Sequence, residues 1–172
     1  MPLLRAATGS DARELAELAE RTFRATFEAV NTPEDMALHC QASYGAAIQG
    51  RELLDPAVAT LVCEHEGRLV AYAQLRQGEA PECVQAARPL ELQRLYVDRE
   101  WHGRGLAQQL MSAALAHAER AGADRVWLGV WEHNPRAIAF YRKYHFHEVG
   151  DHVFPLGTDP QRDIVMDRPT VV

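Results

Sequence analysis

The sequence predicts an α+β fold of seven short strands and four helices, in the order β-α-α-β-β-β-α-β-α-β-β. Three observations carry that prediction. Apolar residues recur at helical spacing in segments that open on capping residues and close on glycine. Short runs rich in β-branched and aromatic residues lie between turn signals. The last two helices each lead straight into another strand, as in mixed sheets covered by helices.

Each element has its own local signal. Leu3 to Ala7 reads as an opening strand. Ser10 is a helix cap, and Leu15, Leu18, Ala19, Thr22, Phe23, Thr26 and Phe27 form one apolar face that ends near Asn31. Thr32-Pro33-Glu34-Asp35 starts a second helix with a cap, a proline at the first helical position and two acids in the first turn, running to about Gln49. Strands Thr60–Glu64 and Leu69–Leu75 flank the hairpin turn Glu66-Gly67-Arg68. Gly78 to Arg88 contains Pro81, lacks periodicity and reads as a loop, followed by a strand from Leu90 to Val97. Gly103 to Ala121 is a long helix with Leu106, Leu110, Ala114 and Ala118 on one face, stopped by Gly122. Arg125–Trp131 is a strand, and Asn134-Pro135 opens a helix that reaches Tyr144. His147–Val153 and Asp163–Arg168 are the last strands. Alternation along Arg125–Trp131 turns Trp127 toward a core.

Composition limits the function classes. A chain of 172 residues with 47% apolar and 24% charged residues fits one globular domain, residues 1–172, with a core that needs no disulfide or metal. No apolar run approaches the ~20 residues of a membrane helix, and Met1-Pro2-Leu3-Leu4-Arg5 lacks the order of a signal peptide. The expectation is a cytoplasmic protein without a membrane partner. A net charge of −6 argues against nucleic-acid binding. Cys40, Cys63 and Cys83 form neither a disulfide framework nor a metal spacing, and the histidines show no metal-site spacing either.

The chemistry concentrates in Leu92 to Ala107, where a strand runs into a glycine-containing turn that opens a helix. The first amides of a helix lack partners within it, and with the helix dipole they form an anion site suited to a pyrophosphate. Gly103 and Gly105 let phosphates approach the backbone, and Arg104 adds positive charge. Taken alone, such a segment is more often a simple tight strand-to-helix turn. The dinucleotide spacing G-x-G-x-x-G fails at Gln108, and no Gly-Lys-Ser/Thr of a Walker loop is present.

His102-Gly103-Arg104-Gly105-Leu106-Ala107 resembles the Q/R-x-x-G-x-G/A turn of the GNAT superfamily of N-acetyltransferases, with His102 where the family usually has Gln or Arg. Trp127 to Phe146 resembles the family's later strand, asparagine-opened helix and F-Y-x-K-x-G-F segment, with His145 in place of the glycine. The closing stretch, Val153 to Gly157 and Gln161 to Met166, is similar to bacterial members related to polyamine acetyltransferases. The resemblance implies a mixed, mostly antiparallel seven-stranded sheet in a three-layer α/β sandwich, splayed between the fourth and fifth strands. It implies acetyl-CoA as cosubstrate, a small-molecule amine such as a polyamine as acceptor, and a homodimer. The backbone of Leu95 and Val97, with Tyr96 between them, would meet the pantetheine arm. The turn from His102 through Leu106 to Ala107 would hold the phosphates, and Asn134, Ala137, Phe140 and Lys143 would complete the cofactor site.

Acetyl transfer to an amine sets three demands. The amine must be neutral, and at pH 7 deprotonating a lysine-like amine of pKa ~10.4 costs roughly 4.6 kcal/mol. A general base therefore helps. The thioester carbonyl needs a polarising donor, and the leaving thiolate, pKa ~8.5, needs a proton. By resemblance Tyr141 donates that proton, where helix packing with Ala137 and Tyr144 is its alternative role. Glu91 is the candidate base, with an exposed strand-end carboxylate as the equal alternative and Glu132 or water as rivals. Phe23, Phe27 and Glu28 are candidates for the acceptor pocket. A protein or peptide amine as acceptor, and a non-catalytic CoA-binding sensor, remain open.

Overall fold

The computed structural model describes residues 1–172. Twelve elements follow in chain order: β1 (Leu3–Ala6), α1 (Ala12–Phe27), α2 (Pro33–Ser43), α3 (Ala46–Leu54), β2 (Val58–His65), β3 (Arg68–Gln77), β4 (Pro89–Val97), α4 (Leu106–Arg120), β5 (Arg125–Trp131), α5 (Pro135–Lys143), β6 (His147–Leu156) and β7 (Asp159–Pro169). The strands form one seven-stranded sheet in the order β1-β2-β3-β4-β5-β7-β6. Every neighbouring pair is antiparallel except β4 and β5, which run parallel. This is the mixed, mostly antiparallel sheet expected.

Two apolar layers sandwich the sheet between helices. On one face Leu106, Leu110, Met111 and Ala114 of α4 pack against Leu90, Leu92, Val126 and Leu128. On the other, Leu15, Leu18 and Phe23 of α1 and Met36 of α2 cover Val62, Leu69 and Tyr72. Trp127 is buried in a third, small cluster with Val84 and Val165 beneath the Gly78–Arg88 loop. No helix is long and apolar enough to cross a membrane.

The helix expected from Thr32 to Gln49 is two helices, so the count is five. At Tyr44 the backbone turns extended (φ −128°, ψ 138°). The buried Gln49 side chain closes the break, donating to Ser43 O (2.9 Å) and accepting from Gly45 N–H (2.8 Å). The start of α1 is built by Thr8 and Asp11 rather than Ser10: the two form a capping box, and Asp11 also takes a bidentate grip from Arg5 (2.8 and 2.9 Å). The hairpin turns where expected, with Glu66 (φ 50°) and Gly67 (φ 76°) both left-handed. β6 and β7 extend beyond their expected ends, to Leu156 and back to Asp159. Pro155 is tolerated there because β6 lies at the sheet edge.

Candidate active site

β4 and β5 share only three rungs, Pro89 with Arg125, Leu90 with Val126 and Glu91 with Trp127, and then part. A bulge in β4 accompanies the separation. Leu75 of β3 pairs with Leu92 and Gln74 pairs with Arg94, so Gln93 is an extra residue on β4. A bulge bends and twists its strand. It also reverses the alternation of faces. Leu90 and Leu92 join the α4 core, as do Leu95 and Val97 beyond the bulge, while Tyr96 packs with the α1 core. The fork opens a cavity of about 430 Å³ whose wall includes β4 from Leu92 to Val97 and Gly129, Val130 and Trp131 of β5.

One end of the cavity is the glycine turn. Gly103 (φ 75°) and Gly105 (φ 81°) are both left-handed, which explains glycine at each. A Cβ at either would meet nothing within 4 Å, so open space lies in front of the turn. No backbone carbonyl accepts from the amides of residues 103 to 108. Six consecutive free donors at the start of α4 fit a pyrophosphate, and the unpaired facing edges of β4 and β5 fit the amides of an extended arm. His102 Nε2 donates to Val97 O (2.8 Å), tying the turn to the strand. Arg104 stays off the cavity wall, its guanidinium 4.8 Å from the Trp101 ring.

α5 forms the adjoining wall. Asn134 Oδ1 accepts from Ala137 N–H (3.2 Å) and caps the helix, which leaves its amide NH₂ free. Ala137, Phe140 and Tyr141 reach the cavity, as does Arg136, which sequence reasoning did not single out. Lys143 is exposed at the end of α5, away from the cavity. Tyr141 packs against Phe140 and Phe146. Burial pushes its phenol up to about 12, so it carries its proton at neutral pH.

The opposite side, toward α1, is aromatic. Phe23 and Phe27 line it, as does Trp131, whose ring meets Phe27 edge-on at 6.0 Å; Glu28 does not. Two charged residues reach this side, Arg94 of β4 and Asp163 of β7. Asp163 Oδ2 lies 3.6 Å from His152 Nε2, and the pair sits over Gly129. Asp163, with help from Glu91 and Asp151, holds the His152 imidazole above its ordinary pKa. Glu91 is half-buried on the last rung before the fork and is not part of the cavity wall. Burial raises its carboxyl, and Arg76, His152 and Arg94 oppose that shift. Glu132 is engaged by Arg162 (3.1 Å). The strand alternation of Gln161, Asp163 and Val165 was the signal that could have identified Asp163, since it puts an acid on a face shared with the buried Val165.

Comparison with known proteins agrees with this geometry. Residues 13–146 match the Acetyltransferase (GNAT) family. An uncharacterized N-acetyltransferase of Mycobacterium bovis is 40% identical over 94% of this chain and 99% of its own. A spermine/spermidine N(1)-acetyltransferase of Bacillus subtilis is 30% identical over 51% of this chain and 58% of its own. The crystal structure of the PaiA N-acetyltransferase from Thermoplasma acidophilum, a coenzyme A complex, has the same fold, with a TM-score of 0.76 at 19% identity over 98% of this chain and 99% of that one. The chain belongs to the GNAT family of acetyltransferases, which take their acetyl group from acetyl-CoA.

Proposed function

We propose that this chain acetylates the primary amine of a small molecule by direct attack within a ternary complex. The observation that carries the reading is the fork of β4 and β5, which joins a phosphate-sized turn, a protonated tyrosine and a carboxylate in one cavity. Acetyl-CoA supplies an activated thioester. The free amides of the turn bind its phosphates, and the open edges at Leu95 and Val97 pair with the arm. Asn134 contributes its spare NH₂ donors, and Tyr96, Ala137 and Phe140 fill the space around the arm. Arg104 adds solvated positive charge beside the turn, while Lys143, away from the cavity, takes no part.

Asp163 holds the acceptor's ammonium, and Glu91 accepts its proton over His152, which lies 3.6 Å from Asp163 and feels the charge of Glu91. The free amine attacks the thioester carbon. The C–N bond forms, the C–S bond breaks, Tyr141 protonates the departing sulfur, and the proton that the nitrogen then sheds restores the Tyr141 phenol. The likeness to spermine/spermidine acetyltransferases supports a polyamine-like acceptor. The charges of the cavity favour a different one: its wall holds one carboxylate, Asp163, and two guanidiniums, Arg94 and Arg136, so a molecule with one ammonium suits it better than a polycation.

Free-thiol release from acetyl-CoA, followed across putrescine, spermidine, spermine and monoamines, tests this. Release should depend on the amine and favour monoamines. Tyr141→Phe should lower kcat by about 10²-fold, in the range of general acid–base effects, with acetyl-CoA affinity unchanged by calorimetry. A variant as fast as the parent would remove the proton-donor role. Binding of acetyl-CoA without release for any amine would sink the small-molecule reading.

A further inference from the structure

Arg94 is a costly residue to place where it stands. Its side chain is only 14% exposed, and it faces Glu52, itself 13% exposed. Within the chain only one of its nitrogens is spent: Nη1 donates to Glu52 Oε2 (3.0 Å) and to Gln74 Oε1 (2.7 Å). The guanidinium lies 5.3 Å from the centre of the Tyr44 ring, which limits its freedom to turn. Nε and Nη2 make no bond within the chain, yet Arg94 is part of the cavity wall. These two nitrogens form the edge of a guanidinium that holds a carboxylate with two parallel hydrogen bonds. The bulge at Gln93 puts Arg94 on the sheet face away from the α4 core, on the wall of the cavity.

Asp163 shares that side. Arg94, Tyr96, Tyr141 and Asp163 all line the one cavity. The cavity therefore offers an anion for an ammonium and a preset fork for a carboxylate.

We propose that Arg94 anchors a carboxylate of the acceptor, so that the substrate is a small amino acid-like zwitterion whose ammonium rests at Asp163. This rests on the acetyltransferase reading and specifies its substrate class. Glu52 and Gln74 are positioning residues: by occupying Nη1 they fix the direction in which the free edge points.

The test compares molecules matched in length. Amino acids with two to six carbons between the functional groups, their primary amides and the corresponding alkylamines are assayed for acetyl transfer. At one or more lengths the amino acid should exceed its amide and its alkylamine at least tenfold in kcat/KM, chiefly through KM. Arg94→Gln should collapse that ratio toward one. Because this variant leaves Glu52 buried without its partner, the double variant R94Q/E52Q, which keeps a neutral hydrogen-bonding pair, is measured beside it and should give the same collapse. Arg94→Lys, with charge but no fork, should retain only part of the preference. Amides or alkylamines turned over as well as the amino acids would overturn the proposal and leave the acetyltransferase reading intact. A preference that survives in the folded double variant would equally overturn it. Turnover of no amine would overturn both.

Discussion

Gly129 carries the His152–Asp163 pair directly above its α-carbon. A Cβ added there would stand 2.7 Å from His152 Nε2 and 3.0 Å from Asp163 Oδ2. Both clashing atoms are the ends of side chains, so the fold can yield while the pair cannot keep its place. Gly129→Ala should therefore change stability by only about 1 kcal/mol but raise the acceptor KM several-fold. Thermal melting and steady-state kinetics together check this, and an unchanged KM would show that the pair does not meet the acceptor. Residues of this kind are hard to find in a sequence. The turn glycines were legible because a helix start and a phosphate share a local pattern. Asp163 and Arg94 were not, because the cavity joins strands separated by some seventy positions, and only the sheet order brings them together.

Between residue and fold, the elements were legible where their boundaries are local. β5 spans Arg125–Trp131, the stretch its composition marks, and α5 begins at the capped Asn134-Pro135 step. The break between α2 and α3 was hidden because it depends on a buried side chain, Gln49, rather than on a proline. The bulge at Gln93 was hidden because a bulge is a property of a strand pair. The α1 start offers a measurable case. Arg5, the Thr8 amide and burial act on Asp11, and the Arg5 hydrogen bonds dominate, lowering its carboxyl from 3.8 to about 2. A lowered folded-state value means that the carboxylate stabilises the fold above pH 3.8, and that this contribution disappears as pH falls through about 2. Asp11→Asn should cost about 2 kcal/mol at pH 7. Denaturant titrations should show the gap between variant and parent closing near pH 2. A gap independent of pH would assign the loss to the capping geometry alone.

At the scale of the molecule, the sheet is two smaller sheets, β1 to β4 and β5-β7-β6, joined by three rungs. Acetyl-CoA, on the proposed reading, would bridge them along the fork. At a hundredfold excess over Kd it should stabilise the fold by about 2.7 kcal/mol, which for a domain of this size raises Tm by roughly 5–10 °C. Hydrogen exchange should slow at the amides of residues 103–108 and along the open edges of β4 and β5. Protection confined to the turn would mean that the arm lies elsewhere. The order of helices and strands made the seven-stranded architecture legible, since seven strands and their covering helices leave few ways to close two cores.

Three rungs are also a mechanical statement. A sheet resists bending through its cross-strand ladder, so stiffness along this one falls to a minimum at the seam between β4 and β5. The two half-sheets can rock like the covers of a book about a short spine at Pro89–Glu91 and Arg125–Trp127. Asp35 of α2 fastens the far margins, accepting from Thr158 N–H (2.7 Å) and Thr158 Oγ1 (2.8 Å) at the β6–β7 turn. Stitched at that margin and joined at the spine, the two half-sheets part only along the mouth between them.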